Sequence, residues 1–235
     1  MLELDKIKTS IDDRYFKKNK QENKGMYIGF NYNIADNKLY FEVSGKLFST
    51  PTSFGAITSE NISDIPEKIY NLSGIQIDKD YLIKCAPLYR IDIKKDILVD
   101  GNPENYISAL REILKAKSDK FDVYKHTNLK YIDGLSVHSK KLSDKTRYTA
   151  YIKWREVCKD KNYKNMFAYD FIEKATNIIR FECQIRQYAK IREIFDIDRS
   201  CSPSIQDIFT CGRNVISDLF KELIVWRRKS RNESR

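Results

Sequence analysis

Apolar and polar residues alternate along several stretches of this chain, and stretches with helical spacing separate them. Alternation marks half-buried strands, because successive side chains on a strand point to opposite faces. On that basis Leu4–Ile11 is a short strand. Met26–Ile34 and Lys38–Val43 form a hairpin that turns at Asp36-Asn37. Leu88–Val99, Leu129–Val137, Arg147–Trp154 and Ile178–Arg186 are further strands, the middle two a second hairpin. Leu47–Ile57 reads as loop, and Asp100-Gly101-Asn102-Pro103 is a strong break. Helical spacing covers Ser59–Leu72, started at Ser59 or by Ser63 with Glu67 and stopped at Gly74. It covers Glu104–Lys117, with Tyr106, Leu110, Ile113 and Leu114 on one side, and Phe167–Ala175. From Tyr188 the pattern is helical to the basic tail Arg227–Arg231, including Val215–Trp226.

The order strand–strand–helix–strand therefore occurs twice, joined by the helix at 104–117. The expected fold class is α+β. A central antiparallel sheet built from two β-β-α-β repeats carries helices on one face, with C-terminal helices added. The expected division is a domain at 1–190 with an internal duplication and a helical extension at 191–235.

Composition sharpens this picture. In 235 residues, 41% are hydrophobic, enough for a core, and no apolar run is long enough to cross a membrane. The N-terminus lacks the basic start and apolar stretch of a secretory signal. The five cysteines form no CxxC pair and read as free thiols. The net charge of +10 favours an acidic polymer as partner, nucleic acid being the commonest. The alternative is the basic drift of lysine-rich sequences from AT-rich genomes, which the lysine, asparagine and isoleucine usage fits.

Two strand segments echo each other: Tyr89-Arg90-Ile91-Asp92 and Ile179-Arg180-Phe181-Glu182. Each puts an arginine and an acid on one face, with an apolar residue on the other. Between them Arg147, Thr149, Tyr151 and Lys153 share a face, while Tyr148, Ala150 and Ile152 take the opposite one. If the three strands join in one sheet, two acids, a tyrosine and a lysine meet on a basic surface. Hard oxygen ligands suit Mg²⁺ or Mn²⁺. Asp92 and Glu182 are the best ligand candidates, with Glu156 a third and Asp96 in reserve. A phenol has an unperturbed pKa of about 10, so it needs a cation to favour the phenolate. Lys153 is placed to supply one or to hold a phosphate. The alternative is that each acid simply pairs with its neighbouring arginine. Arg90, Arg180, Lys140, Lys141, Lys145 and Arg147 are candidate contacts to a DNA backbone. His126 and His138 form no His-x-His pair, and His138 reads as a ligand or as an ordinary histidine.

Taken in order, Arg90-Ile91-Asp92-x-x-x-Asp96, Val137-His138-Ser139-Lys140-Lys141-Leu142-Ser143, Tyr151-Ile152-Lys153-x-x-Glu156 and Ile179-Arg180-Phe181-Glu182 resemble a known family. It comprises the rolling-circle replication initiators of filamentous phages and of Rep-trans plasmids. The opening Leu4-Asp5-Lys6-Ile7-Lys8 resembles the phage members, and the likeness spans roughly 1–190. The resemblance implies a metal-dependent nickase. Tyr151 would attack origin DNA and keep a 5′-phosphotyrosine link, and Asp92 and Glu182 would hold Mg or Mn. It implies DNA, single-stranded or duplex, as partner and the cytoplasm of a bacterial host as location. A host helicase and a homodimer are left open as partners. His138-Ser139 stands where the family usually has Gly-Ser before the basic loop. A catalytically silent DNA-binding protein of the same fold and a metal nuclease using water are the competing readings.

Overall fold

The alternating stretches pair into one broad sheet. The computed structural model describes residues 2–19, 22–48, 54–116, 121–128, 131–140, 146–159 and 175–224. In chain order the strands are β1 (Glu3–Asp12), β2 (Phe16–Lys18), β3 (Lys24–Tyr27), β4 (Phe30–Ala35), β5 (Lys38–Ser44), β6 (Ile75–Ile77), β7 (Leu88–Leu98), β8 (Phe121–Asn128), β9 (Tyr131–Ser139), β10 (Thr146–Ile152) and β11 (Ile178–Ile185). Nine of them form a sheet in the order β3-β4-β5-β1-β7-β11-β10-β9-β8, antiparallel throughout, while β2 and β6 pair separately. The described helices are α1 (Ile65–Ser73), α2 (Lys79–Lys84), α3 (Pro103–Lys115), α4 (Lys153–Lys159), α5 (Tyr188–Phe195), α6 (Ile205–Thr210) and α7 (Val215–Ile224).

Local chemistry sets these boundaries. Asp36 and Asn37 both adopt positive φ, 52° and 57°, which is what a two-residue hairpin between β4 and β5 requires. The expected strand Met26–Ile34 is instead two strands, because Ile28-Gly29 turns the chain with Gly29 at φ 79°. Gly74, at φ 72°, ends α1 as anticipated, but neither Ser59 nor Ser63 caps it. A 3-10 turn at Ile62–Asp64 feeds the helix directly, with Pro66 in its first turn. Asn102 caps α3 by accepting a bond from the Glu104 amide at 2.9 Å.

The sheet has one apolar and one charged face. Ile91 and Ile93 of β7, Ile179, Cys183 and Ile185 of β11, and Tyr148, Ala150 and Ile152 of β10 all enter the core. Helices cover that face: α3 packs on β8, β9 and β10, α7 on α3 and β7, and α5 on β7. Phe220 of α7 sets its ring edge-on to Tyr148 and Phe181, with centroids 6.2 and 5.2 Å apart. The opposite face carries the charged residues of the same strands.

The first half runs β4-β5-α1-β6-α2-β7, with β6 and α2 inserted in the expected strand–strand–helix–strand order, while the described residues of the second half run β9-β10-α4-β11. Their places in the sheet differ, because β1 lies between β5 and β7 while β10 pairs directly with β11. The expected strand ending at Trp154 stops at Ile152, and Lys153 opens α4. Helix α5 runs across position 190. The expected helix at 167–175, except Ala175, and the basic tail lie outside the described residues. Among the described residues no helix is long and apolar enough to cross a membrane.

Candidate active site

A groove of about 680 Å³ opens on the charged face, and residues from all nine strands line it. At the spacing of neighbouring strands the sheet is roughly 40 Å across. The lining includes Tyr151 and Thr149 of β10, Glu182 and Gln184 of β11, and Arg90 and Asp92 of β7. Its carboxylates (Asp5, Glu42, Asp92, Asp133, Glu156, Glu182) outnumber its lysines and arginines (Lys6, Lys46, Arg90, Arg147, Arg155) by six to five. The +10 charge of the chain therefore lies mainly elsewhere.

Tyr151 and Glu182 meet at the middle of this groove. The pairing places Tyr151 opposite Arg180 and Thr149 opposite Glu182, so the two side chains approach diagonally across β10 and β11. The Tyr151 hydroxyl donates to Glu182 Oε1 at 2.6 Å. Burial, then the Glu182 and Glu156 charges, push the phenol well above the ordinary tyrosine value. Burial and then the Asp5 charge push the Glu182 carboxyl up to about 7. Gly134 of β9 lies opposite Tyr151, and a Cβ there would come within 2.6 Å of the tyrosine Cβ.

The two echoing Arg-x-acid segments behave differently. Arg90 closes on Asp92, Nε to Oδ1 at 2.8 Å and Nη2 to Oδ2 at 2.5 Å, the local pairing weighed as the alternative. Asp92 also accepts from Gln184 Nε2 at 3.3 Å, and Arg90 lies 3.7 Å from Glu42. Arg180 makes its paired bonds across to Asp96 on β7, with Nε and Nη2 each at 2.6 Å, and acts on Glu182 through its charge. Register causes the difference, because Arg180 stands directly opposite Asp96. Arg180 is 1% exposed. The expected DNA contact at this residue is thereby corrected: its guanidinium is buried and committed within the protein.

Lys153 is corrected in its setting. It does not follow Tyr151 along the strand; it starts α4, fully buried, and donates to Glu156. Its Nζ still lies 5.9 Å from the Tyr151 ring centroid and 5.4 Å from that of Phe54. Burial and then the Arg180 charge lower its pKa. Arg147 donates to Ser136 Oγ at 3.0 Å, and that hydroxyl also contacts His126 Nε2 at 2.9 Å. Lys140 sits 3.5 Å from Asp122, while Lys141 and Lys145 lie outside the described residues. His138 stacks obliquely on Tyr124 at 5.0 Å and does not line the groove.

Three residues of the site escaped sequence reasoning. Asp5 reaches the groove beside Lys6 because the β1–β7 register slips between Leu4 and Lys6, and such slips re-aim side chains next to functional sites. The non-alternating core positions Leu4, Ile7 and Ile11 were the available signal. Lys94, fully buried, donates to the carbonyls of Phe54 (3.1 Å) and Gly55. Gly134 gives no signal in a single sequence.

Glu182, Asp5 and Glu156 offer oxygen donors of the kind a hard divalent cation takes. Glu182 is half-buried near Asp5 and Glu156, and their mutual repulsion is what such an ion would relieve. Among the described residues, however, no three His, Cys, Asp or Glu side chains close on one point.

No family model and no curated protein matches the chain. Among solved structures it is similar to the rolling circle replication initiator protein from Geobacillus stearothermophilus. That similarity covers 99% of this chain and 89% of the other, at 11% identity and a TM-score of 0.49.

Proposed function

We propose that this chain is a DNA-nicking initiator of rolling-circle replication, with Tyr151 as nucleophile. The observation that carries the reading is the 2.6 Å bond from the Tyr151 hydroxyl to Glu182, on the floor of a groove open to a polymeric substrate. Tyr151 Oη would attack phosphorus in line, forming the phosphotyrosine bond on the 5′ side. The P–O3′ bond breaks, and the 3′-hydroxyl leaves ready to prime synthesis. The phenol proton has an acceptor already in place in Glu182.

Glu182, Asp92 and Glu156 line the same groove and would have to draw together to hold Mg or Mn, which when bound neutralises charge developing on the phosphate. Asp92 would have to release Arg90 to take part. Lys153, behind the tyrosine ring, would favour the phenolate alongside Arg180, whose charge lowers the phenol's pKa. Arg90, Arg147, Lys140, Lys141 and Lys145 supply backbone contacts along the DNA path. The location is the cytoplasm of a bacterial host. The division at 190 belongs to the same reading, with 1–190 as the nicking unit.

The test is incubation of the protein with supercoiled origin plasmid and Mn²⁺, read on denaturing gels. A covalent protein–DNA adduct that disappears in Tyr151→Phe is the expected result. Binding without cleavage assigns a silent DNA-binding protein, which the raised pKa of the phenol would favour. Cleavage that survives Tyr151→Phe assigns a nuclease using water.

A further inference from the structure

The tip of the first hairpin stands at one mouth of the groove and has no part in the chemistry above. Tyr27 of β3 pairs with Phe30 of β4, which leaves Ile28-Gly29 as the turn. Met26 is 87% exposed and Ile28 62%. With Leu72 of α1 they line a shallow apolar depression of about 800 Å³. Met26 and Tyr27 also line the groove, so the apolar tip is continuous with the site. Clustered apolar side chains in water mark a surface that something covers in use.

The tip is held firmly. Gly29 adopts φ 79°, its carbonyl accepts from the Ser44 amide at 2.9 Å, and a Cβ there would meet the Leu47 nitrogen at 2.3 Å. Three cations frame it: Lys24 on β3, Lys46 in the groove lining and Lys68 in the depression. A second copy of the chain, adding a strand to the edge, is the first rival. β3 is only four residues long and carries exposed Lys24, both of which blunt an edge against pairing.

An apolar wedge ringed by lysines is complementary to nucleic acid whose stack has been opened. Unstacked bases offer apolar faces, and the flanking phosphates take the cations. We propose that the Met26–Ile28 tip inserts against unstacked bases of a DNA strand entering the groove, with Lys46 and Lys68 on the neighbouring phosphates. The inference rests on the nicking reading only in that both place DNA in this groove.

The experiment compares the full chain on two DNA probes of one mixed sequence, a fully paired duplex and the same duplex with a central unpaired bubble. The expected result is binding to the bubble roughly tenfold tighter than to the paired duplex. Met26→Ser with Ile28→Ser removes that preference, so that the two probes bind with equal affinity. Met26→Leu with Ile28→Leu retains it, and Lys46→Gln weakens both probes alike. A bubble preference that survives the serine pair, or its absence in the parent protein, overturns the proposal. So does a dimer in sedimentation that the serine pair dissociates, which assigns the tip to a second copy. The adduct assay reads the nicking proposal separately. Adduct without bubble preference sinks the tip alone, bubble preference without adduct sinks the nickase alone, and no DNA binding at all sinks both.

Discussion

Arg180 spends its guanidinium on Asp96 across the strand boundary and leaves Glu182, two residues along its own strand, to the Tyr151 hydroxyl. That choice of partner separates a structural ion pair from a candidate catalytic pair within one sheet face. Had Arg180 folded back on its own acid, as Arg90 does on Asp92, Glu182 would be spoken for and the phenol would face no free carboxylate oxygen.

The first expected outcome concerns that ion pair. Asp96→Ala takes the two-pronged partner from a buried guanidinium and leaves it facing Asp5 at 3.7 Å. Removing one partner of a buried pair costs about 3–5 kcal/mol. Urea denaturation should show a loss of that order. A loss below about 1 kcal/mol, the value of an exposed pair, would mean the guanidinium is solvated after all.

Lys153→Met tests the cation behind the phenol. Lys153 does not line the groove that would take the DNA; it acts on Tyr151 through the ring and on Glu156 through its ammonium. The expected result is a fall of about 10²-fold in the rate of adduct formation. Affinity for a DNA duplex should stay within a factor of about two. The rate loss should shrink as pH rises, because burial and the Arg180 charge lower the Lys153 pKa and the parent protein loses the same cation. A parallel loss in rate and binding would assign Lys153 to DNA contact or to folding.

Much of the architecture was legible because period-two alternation is a strong signal when one sheet face is buried. It gave the strands around Ile91, Tyr148 and Ile179, and it put Tyr151 and Glu182 on one face. It failed where geometry is not periodic. Gly29 splits a run that alternates on paper, because its positive φ turns the chain without interrupting the pattern. β8 went unread, since its Lys125, His126, Thr127 and Asn128 carry no apolar alternation and it pairs on one side only, as an edge. The identity of ion-pair partners was out of reach for a different reason. It depends on the β7–β11 register, which sets Arg180 opposite Asp96, and register between strands eighty residues apart leaves no local trace.

Lys94 makes stability depend on pH. Burial and then the Arg180 charge push its pKa down to about 8, against about 10.4 for a lysine in an unfolded chain. Between those values the unfolded chain binds more protons than the folded one, so stability rises with pH across this window. The gain is at most about 1.4 kcal/mol per pH unit and flattens above pH 10, where the raised Tyr151 acts in the opposite direction. Denaturation in EDTA at pH 7.5, 8.5 and 9.5 should show the parent protein gaining on Lys94→Met. A constant gap between the two would place the lysine's titration outside this range.

Gly134 is where fold and chemistry press on each other most directly. It sits opposite Tyr151 in the β9–β10 pair, and a Cβ would lie 2.5 Å from the Ala150 carbonyl oxygen and 2.6 Å from the Tyr151 Cβ. Backbone cannot yield by that much, so Gly134→Ala must displace β10 at the tyrosine. Overpacking of this kind costs about 1–3 kcal/mol, which leaves a domain of ordinary stability folded. The tyrosine is moved relative to Glu182, however, and a shift near 1 Å at a reacting group costs about 10² in rate. The expected signature is therefore a folded protein that still binds DNA and forms adduct about a hundredfold more slowly. Gly134→Ala with full nicking activity would show that the position of Tyr151 fixed by β9 is not the one the reaction uses.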